Sequence, residues 1–265
     1  GQAFDVLPLA AGHCYIGTQN GVIEYKDGER IKHLCKGFQV VPIFKRADGS
    51  FWCFGKQHGT ERNMVLAWNG EQAGPVEALQ DKRLEDMFQD SRGGIWITVA
   101  GNGVLEVAPG VAAKDAVAHL RAKQVFAIFE DSRNRMWCGL DGAGVMVRED
   151  GRWRMHLKND TAVKRNIVED GDGNIWVSTN RNGVWRYDGD EWTNFLPDTV
   201  VSLLAADRDG RVWLSTQAEG GLKLWQDGEW VQSLPGPMPI HRLTQAADGA
   251  VWAGGVLDGL HILRP

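Results

Sequence analysis

The chain has 265 residues, with 29 Lys and Arg against 34 Asp and Glu, a net charge of −5 and a pI near 5.8. That balance offers nucleic acid no basic footprint, because phosphate backbones are held by clustered Lys and Arg. No apolar run reaches the about 18 residues of a transmembrane candidate, no apolar signal segment is evident, and composition leaves the compartment of a chain starting Gly1-Gln2 open.

The predicted elements are short apolar strands separated by turns. In a first unit near residues 3–37, Tyr15 of Cys14-Tyr15-Ile16-Gly17-Thr18 follows a short turn and opens the second strand. Later units put Trp there. Trp52, Trp96, Trp137, Trp176, Trp213 and Trp252 recur at spacings of 44, 41, 39, 37 and 39, which places further units near 38–81, 82–122, 123–160, 161–199, 200–238 and 239–265. The fourth shows the grammar plainly: an apolar strand ending in Glu130-Asp131, the Trp137 strand, a Gly-rich loop, a strand from Gly144, then Asp150-Gly151 and a strand carrying Trp153. Between first and second strands stand Asp172-Gly173, Asp209-Gly210 and Asp248-Gly249, which predict type I′ turns with two residues at positive φ. The last unit ends at Leu260-His261-Ile262-Leu263, one strand short. Repeats of about 40 residues built from hairpins predict an all-β fold. The expected form is a single seven-bladed β-propeller domain of four-stranded antiparallel blades over residues 1–265, with the last blade lacking its outer strand.

The run Val168-Glu169-Asp170-Gly171-Asp172-Gly173-Asn174-Ile175-Trp176-Val177-Ser178-Thr179, followed by Asn182-Gly183-Val184-Trp185-Arg186-Tyr187-Asp188, closely resembles the two-component regulator propeller repeat. Similar stretches run from Ala206 to Trp225 and from Glu130 to Val147, while units one, two, three and seven are degenerate copies. The resemblance implies a propeller of the kind found in sensor regions of bacterial hybrid two-component receptors, and with it a periplasmic or other extracytoplasmic location. No kinase, receiver or helix-turn-helix segment accompanies it, so it speaks for fold more than for function.

Twelve Trp recurring in register are expected to pack blade against blade, with Trp185 and Trp192 the pair to test for exposure. Cys53 and Cys138 follow the repeat Trp and read as small buried residues; a Cys14–Cys35 pair stays open. His33, His119 and His156 lie on fourth strands of different units, where zinc ligands do not converge. Asp170-Gly171-Asp172-Gly173-Asn174 begins like a calcium loop, but Ile175 and Arg181 stand where that loop needs Gly and Glu. Neither metal nor cofactor is expected.

Two groups of residues are candidates for binding. Aligned first strands place Asp5, Val41, Glu85, Phe126, Arg165, Ser202 and His241 in one column, expected to meet at the mouth of a central tunnel as a charge-balanced pore or a small-ligand site. Loops between second and third strands offer Gln19 and Asn20, Asn102, Asp141, Asn180, Arg181 and Asn182, Glu219 and Asp258. The unit-two loop, Gly55-Lys56-Gln57-His58-Gly59-Thr60-Glu61-Arg62-Asn63, is about four residues longer and carries His58, Glu61 and Arg62.

Without a nucleophile, base and orienting group in sight, the expected role is non-catalytic: a sensor or recognition propeller binding a small molecule, glycan or protein on the loop face, as a monomer or a domain of a longer protein. The alternatives are a streptogramin-type or glycan lyase with Glu85 or His241 as general base, and a purely structural propeller.

Overall fold

A computed structural model describes residues 3–10, 12–46, 48–60, 62–68, 73–80, 82–158, 166–234, 236, 240–245, 250–255 and 260–263. Among the described residues seven antiparallel sheets follow one another, in residues 3–34, 38–75, 84–119, 125–157, 167–195, 201–234 and 240–263, here sheets 1 to 7. Each is built from strands consecutive in the chain. Sheets 1 to 6 have four strands; sheet 7 has three among the described residues, as the shortened last unit predicts. The architecture is the expected all-β propeller class. The chain forms two compact units, Gly1–Gln124 with sheets 1 to 3 and Val125–Pro265 with sheets 4 to 7. Inside each unit, hydrophobic clusters are shared by consecutive sheets: Tyr15, Val22 and Val40 with Trp68; Trp52 and Val65 with Leu84 and Ile95; Trp137 and Val145 with Ile175.

The turn between first and second strands is not type I′. In sheet 5, Asp170 N donates to Asn174 O at 3.0 Å and Gly173 N donates to Asp170 O at 3.1 Å. Gly173 has φ 82°, whereas Asp172 is not among the residues at positive φ. This is a type I turn closed by one left-handed residue, the three-residue hairpin loop. The same backbone bonds recur from Asp90, Asp131 and Asp207, with φ of 85° at Gly93, 60° at Asn134 and 76° at Gly210. Asp248 and Gly249 lie outside the described residues. True two-residue type I′ turns join third to fourth strands instead, at Asp27-Gly28, Asp150-Gly151 and Asp227-Gly228, where both residues have positive φ. The sequence signal was real, but its position in the repeat was different.

In sheets 3 to 6 the acidic residue that ends the first strand reinforces the three-residue turn, which sheet 2 forms without it, Arg46 N donating to Ser50 O at 2.8 Å and Gly49 N to Arg46 O at 3.0 Å. One oxygen of the Asp131 carboxylate accepts from Arg133 N at 3.1 Å and Arg135 N at 2.8 Å, while the other accepts from the Trp137 indole N–H at 2.7 Å and Arg135 Nε at 2.7 Å. Asp90, Asp170 and Asp207 likewise take the indole N–H of Trp96, Trp176 and Trp213, at 2.9, 2.7 and 2.8 Å. The apparent start of a calcium loop at Asp170 is therefore occupied by turn and indole donors. Sheet 2 departs from the rule. Arg46 takes the Asp place with only 5% exposure; its guanidinium lies 4.4 Å from the Trp52 ring centroid, and Nη2 donates to Val111 O of sheet 3 at 2.9 Å.

The repeat rings pack between sheets. Tyr15 meets Trp68 of sheet 2 edge-on at 5.4 Å, Trp137 meets Trp192 of sheet 5 at 6.3 Å, and Trp176 meets Trp225 and Trp230 of sheet 6 at 4.9 and 5.5 Å. Such edge-to-face pairs add to the area each ring buries. Trp185 and Trp192 are half-buried against the cluster shared by sheets 4 and 5. Cys53 and Cys138 are buried, as expected. The neighbour of Cys35 is Cys53, which hydrogen-bonds to it; that bond lowers the Cys35 thiol, while burial raises Cys53 well above the ordinary range.

First strands are irregular at one recurring place. Pairing with the second strand shifts between Ala3 and Asp5, Val40 and Ile43, Val125 and Ala127, Val201 and Leu203, and Ile240 and Arg242, and in sheet 3 at the step from Thr98 to Val99. A bulge inserts an unpaired residue and re-aims its side chain. Glu85, Phe126, Ser202 and His241 occupy that slot. Asp5 does not: it pairs with Gly17, in register with Ala127 opposite Gly139, so Phe4 stands in the slot of sheet 1. The sequence column was one residue out there because a bulge breaks simple counting.

Removing the clamp has a predictable cost. Asp131→Ala orphans the buried indole N–H of Trp137 and two backbone donors, and is expected to lower stability by about 2–4 kcal/mol in urea unfolding, whereas Asp172→Ala at the exposed turn stays within about 0.5 kcal/mol. A second outcome concerns pH. His156 Nδ1 accepts the Trp192 indole N–H at 3.0 Å, so the ring is neutral. Burial lowers its pKa, Arg135 lowers it further and Glu149 opposes them. The unfolded chain therefore binds the proton first, and stability falls as pH drops below about 6.5 towards the lower folded-state value. Unfolding series from neutral to mildly acidic pH are expected to show this slope, flattened in His156→Gln.

Candidate ligand-binding site

The first unit contains a cavity of about 860 Å³ lined by Lys56, Arg62, Asn63, Gln80, Lys82, Arg83, Leu84 and Glu85. Three segments build it. The hairpin of sheet 2 supplies Lys56, at the end of Phe51–Gln57, together with Arg62 and the start of Asn63–Trp68. The connection to sheet 3 supplies Gln80, Lys82 and Arg83. The first strand of sheet 3, Leu84–Gln89, supplies Leu84 and Glu85.

Local sequence explains each segment. In other sheets the second and third strands stop pairing at most three residues past the repeat ring, as at Leu140 with Gly144. In sheet 2 pairing continues to Lys56 with Asn63, and Gln57 N still donates to Arg62 O at 3.1 Å. The long loop of the sequence is thus partly an extended hairpin. The connection is pinned by Leu79, 2% exposed in the cluster shared by sheets 2 and 3, at the end of a short 3-10 turn, Glu77–Leu79. Lys82 N donates back to Leu79 O at 3.2 Å, and Ala100 N donates to Arg83 O at 2.8 Å. Arg62 Nη2 donates to Gln80 O at 2.7 Å and Asn63 Nδ2 to Leu84 O at 2.9 Å, tying hairpin to connection. Glu85 accepts from Gln124 Nε2 at 2.5 Å, and Gln124 Oε1 accepts from Gly101 N at 2.5 Å.

Two sequence candidates of different kinds, Arg62 of the long loop and Glu85 of the first-strand column, therefore meet at one cavity. His58 goes elsewhere. With Gln19, Asn20, Tyr25, Arg30 and His33 it lines a second cavity of about 530 Å³, where His58 Nε2 bonds Gln19 O at 2.6 Å and His33 Nε2 bonds Asn20 O at 2.5 Å. Asn102, Asp141 and Arg181 are exposed and Asn180 half-buried. Asn182 Oδ1 is engaged by Asn194 Nδ2 at 3.1 Å, and Glu219 pairs with Lys223. In the second unit, Phe126 is half-buried, and the Ser202 hydroxyl is buried without a hydrogen-bond partner among the described residues. Glu61, Arg165 and Asp258, and the side chains of Asp5 and His241, lie outside the described residues. His119 pairs with Glu106 Oε2 at 2.7 Å, so His33, His119 and His156 each have separate local partners.

Sequence reasoning missed Lys82 and Arg83. The signal was a basic pair in the segment leading into a first strand of an acidic chain.

Comparison with known proteins bears on what such a cavity belongs to. Residues 157–181 and 196–218 match the family described as two component regulator propeller. These segments are two-component regulator propeller repeats. Among solved structures, the extracellular domain of the putative hybrid two component system BT3049 from B. thetaiotaomicron matches the propeller with TM-score 0.66 at 20% identity, over 99% of this chain and 39% of that one. The corresponding domain of BT4673 from the same organism matches with TM-score 0.69 at 16% identity, over 99% and 40%. This chain spans about two fifths of the length of either. A streptogramin B lyase matches with TM-score 0.66 at 14% identity, over 98% and 93%. At such identities the likeness is one of fold. No curated protein matches the propeller in sequence.

Proposed function

We propose that the chain is a non-catalytic recognition module, one propeller over residues 1–265 that binds a ligand in the cavity between sheets 2 and 3. In this reading it is the extracytoplasmic sensing part of a longer bacterial signalling protein. The observation that carries the proposal is the meeting of the extended sheet 2 hairpin and the bulged first strand of sheet 3 around about 860 Å³, a volume typical of small-molecule sites. The propeller repeats and the likeness to extracellular domains of hybrid two component systems support the signalling context. Among the described residues, no helix is long and apolar enough to cross a membrane.

The fold of the streptogramin B lyase keeps a second reading in play, but the cavity's chemistry favours recognition. Among the described residues, its lining holds cations, amides, Leu84 and one carboxylate, and no Ser, Cys or His. Glu85, the sequence candidate for a lyase base, is engaged by Gln124, whereas a general base must reach the substrate proton.

A thermal-shift screen of small metabolites, oligosaccharides and peptides is expected to return ligands that raise Tm. That rise should vanish in Arg62→Ala and in Gln80→Trp, which obstructs the cavity, while the Tm of unliganded Arg62→Ala stays within about 2 °C of wild type, as for an exposed side chain. Undiminished shifts in both variants, or turnover of a hit, would displace the reading.

A further inference from the structure

We propose that the ligand of this cavity is a small molecule carrying two or more anionic groups, either carboxylates or phosphates; the proposal rests on the recognition reading above. Among the described residues, the lining sets four cations, Lys56, Arg62, Lys82 and Arg83, against one carboxylate, that of Glu85. The whole chain, by contrast, carries a net charge of −5. Concentrating cations around one concavity in an acidic protein raises mutual repulsion in the empty site, and a low-dielectric wall focuses their field into it. An anionic ligand relieves that repulsion.

The charges of Arg62, Lys82 and Arg83 are not engaged in ion pairs with other described residues. Arg62 donates to the neutral carbonyl of Gln80, which holds the guanidinium at the wall with one of its five N–H donors and leaves the fork for a carboxylate or phosphate. Among the described residues, neither Arg62, Lys82 nor Arg83 has an acidic partner within 4.0 Å. Leu79 and the Ala100 bond fix the backbone that carries Lys82 and Arg83, so less is lost in placing these two residues on binding.

The number of anionic groups follows from the layout. Lys56 and Arg62 come from the sheet 2 hairpin, Lys82 and Arg83 from the connection to sheet 3. Cations on two segments suit two separated anionic groups better than one. Glu85, held by Gln124, stands at the first-strand side, where it repels a further anion and accepts a hydroxyl. Among the described residues the lining contains no aromatic ring, and so no stacking platform for a neutral sugar. Four charges confined to a cavity also differ from the extended basic stripe that nucleic acid needs.

Isothermal titration with citrate and with pyrophosphate separates the carboxylate from the phosphate source, with sorbitol as a neutral control. At low ionic strength at least one polyanion is expected to bind and sorbitol not to. Affinity should fall at physiological salt, and fall by roughly tenfold or more in the Lys82→Gln/Arg83→Gln double variant. The Arg154→Gln/Lys158→Gln variant removes two exposed charges from sheet 4 and its following residue and should bind as wild type. No binding of either polyanion, or equal weakening in both double variants, overturns the proposal. A neutral ligand blocked by Gln80→Trp but indifferent to salt and to the charge variants overturns it while leaving the recognition reading intact; if Gln80→Trp and Arg62→Ala leave every ligand's binding unchanged, both fail.

Discussion

A tryptophan indole N–H donated to a carboxylate six residues earlier is the interaction on which the rest depends. It joins the two ends of the first hairpin in sheets 3 to 6, because the same carboxylate also accepts the backbone donors of the turn. One buried acid thus ties together the turn, the start of the second strand and the position of the ring that fills the space towards the next sheet. The desolvation cost of the carboxylate is offset by several donors at once, which is the condition under which a buried charge is tolerated. Arg135 and Arg211 add a cation over the ring and a bond to the acid in sheets 4 and 6.

Much of this was legible in the sequence. The Trp period marked the sheets, Tyr15 was rightly placed in the first slot, and the short last unit became a three-stranded sheet among the described residues. The Asp-Gly pairs were visible too, yet their two kinds could not be told apart by composition. Asp150-Gly151 makes a type I′ turn, while in Asp172-Gly173 only the glycine has positive φ, since Asp170 accepts the turn's donors. What distinguishes them is an acid two residues earlier with a Trp six residues beyond it, a pattern of three positions and not of two.

The site was less legible for a related reason. A period-two count along a first strand assumes a regular ladder, and the recurring bulge breaks that assumption, so Asp5 moved out of a column to which Glu85 belongs. Lys82 and Arg83 went unnoticed because they open the third unit ahead of its first strand, outside the strand and turn positions that the repeat aligns. Leu79 gives that segment its fixed place by tertiary contact, and no local signal announces such a contact. Long-loop residues separated for a similar reason: Arg62 and His58 are neighbours in sequence but line different cavities.

Sheet 2 lacks the acid clamp, and Arg46 reaches instead across to the carbonyl of Val111 in sheet 3. The six-fold recurrence of the repeat ring left room for that exchange, since duplicated units share the burden of folding and one copy can drift without collapse. The drifted copy now leans on its neighbour, and the cavity lies between the same two sheets. In a molecule made of copies, the repeat that has shed its own signature and borrowed support from the next is where evolution had freedom to build something new.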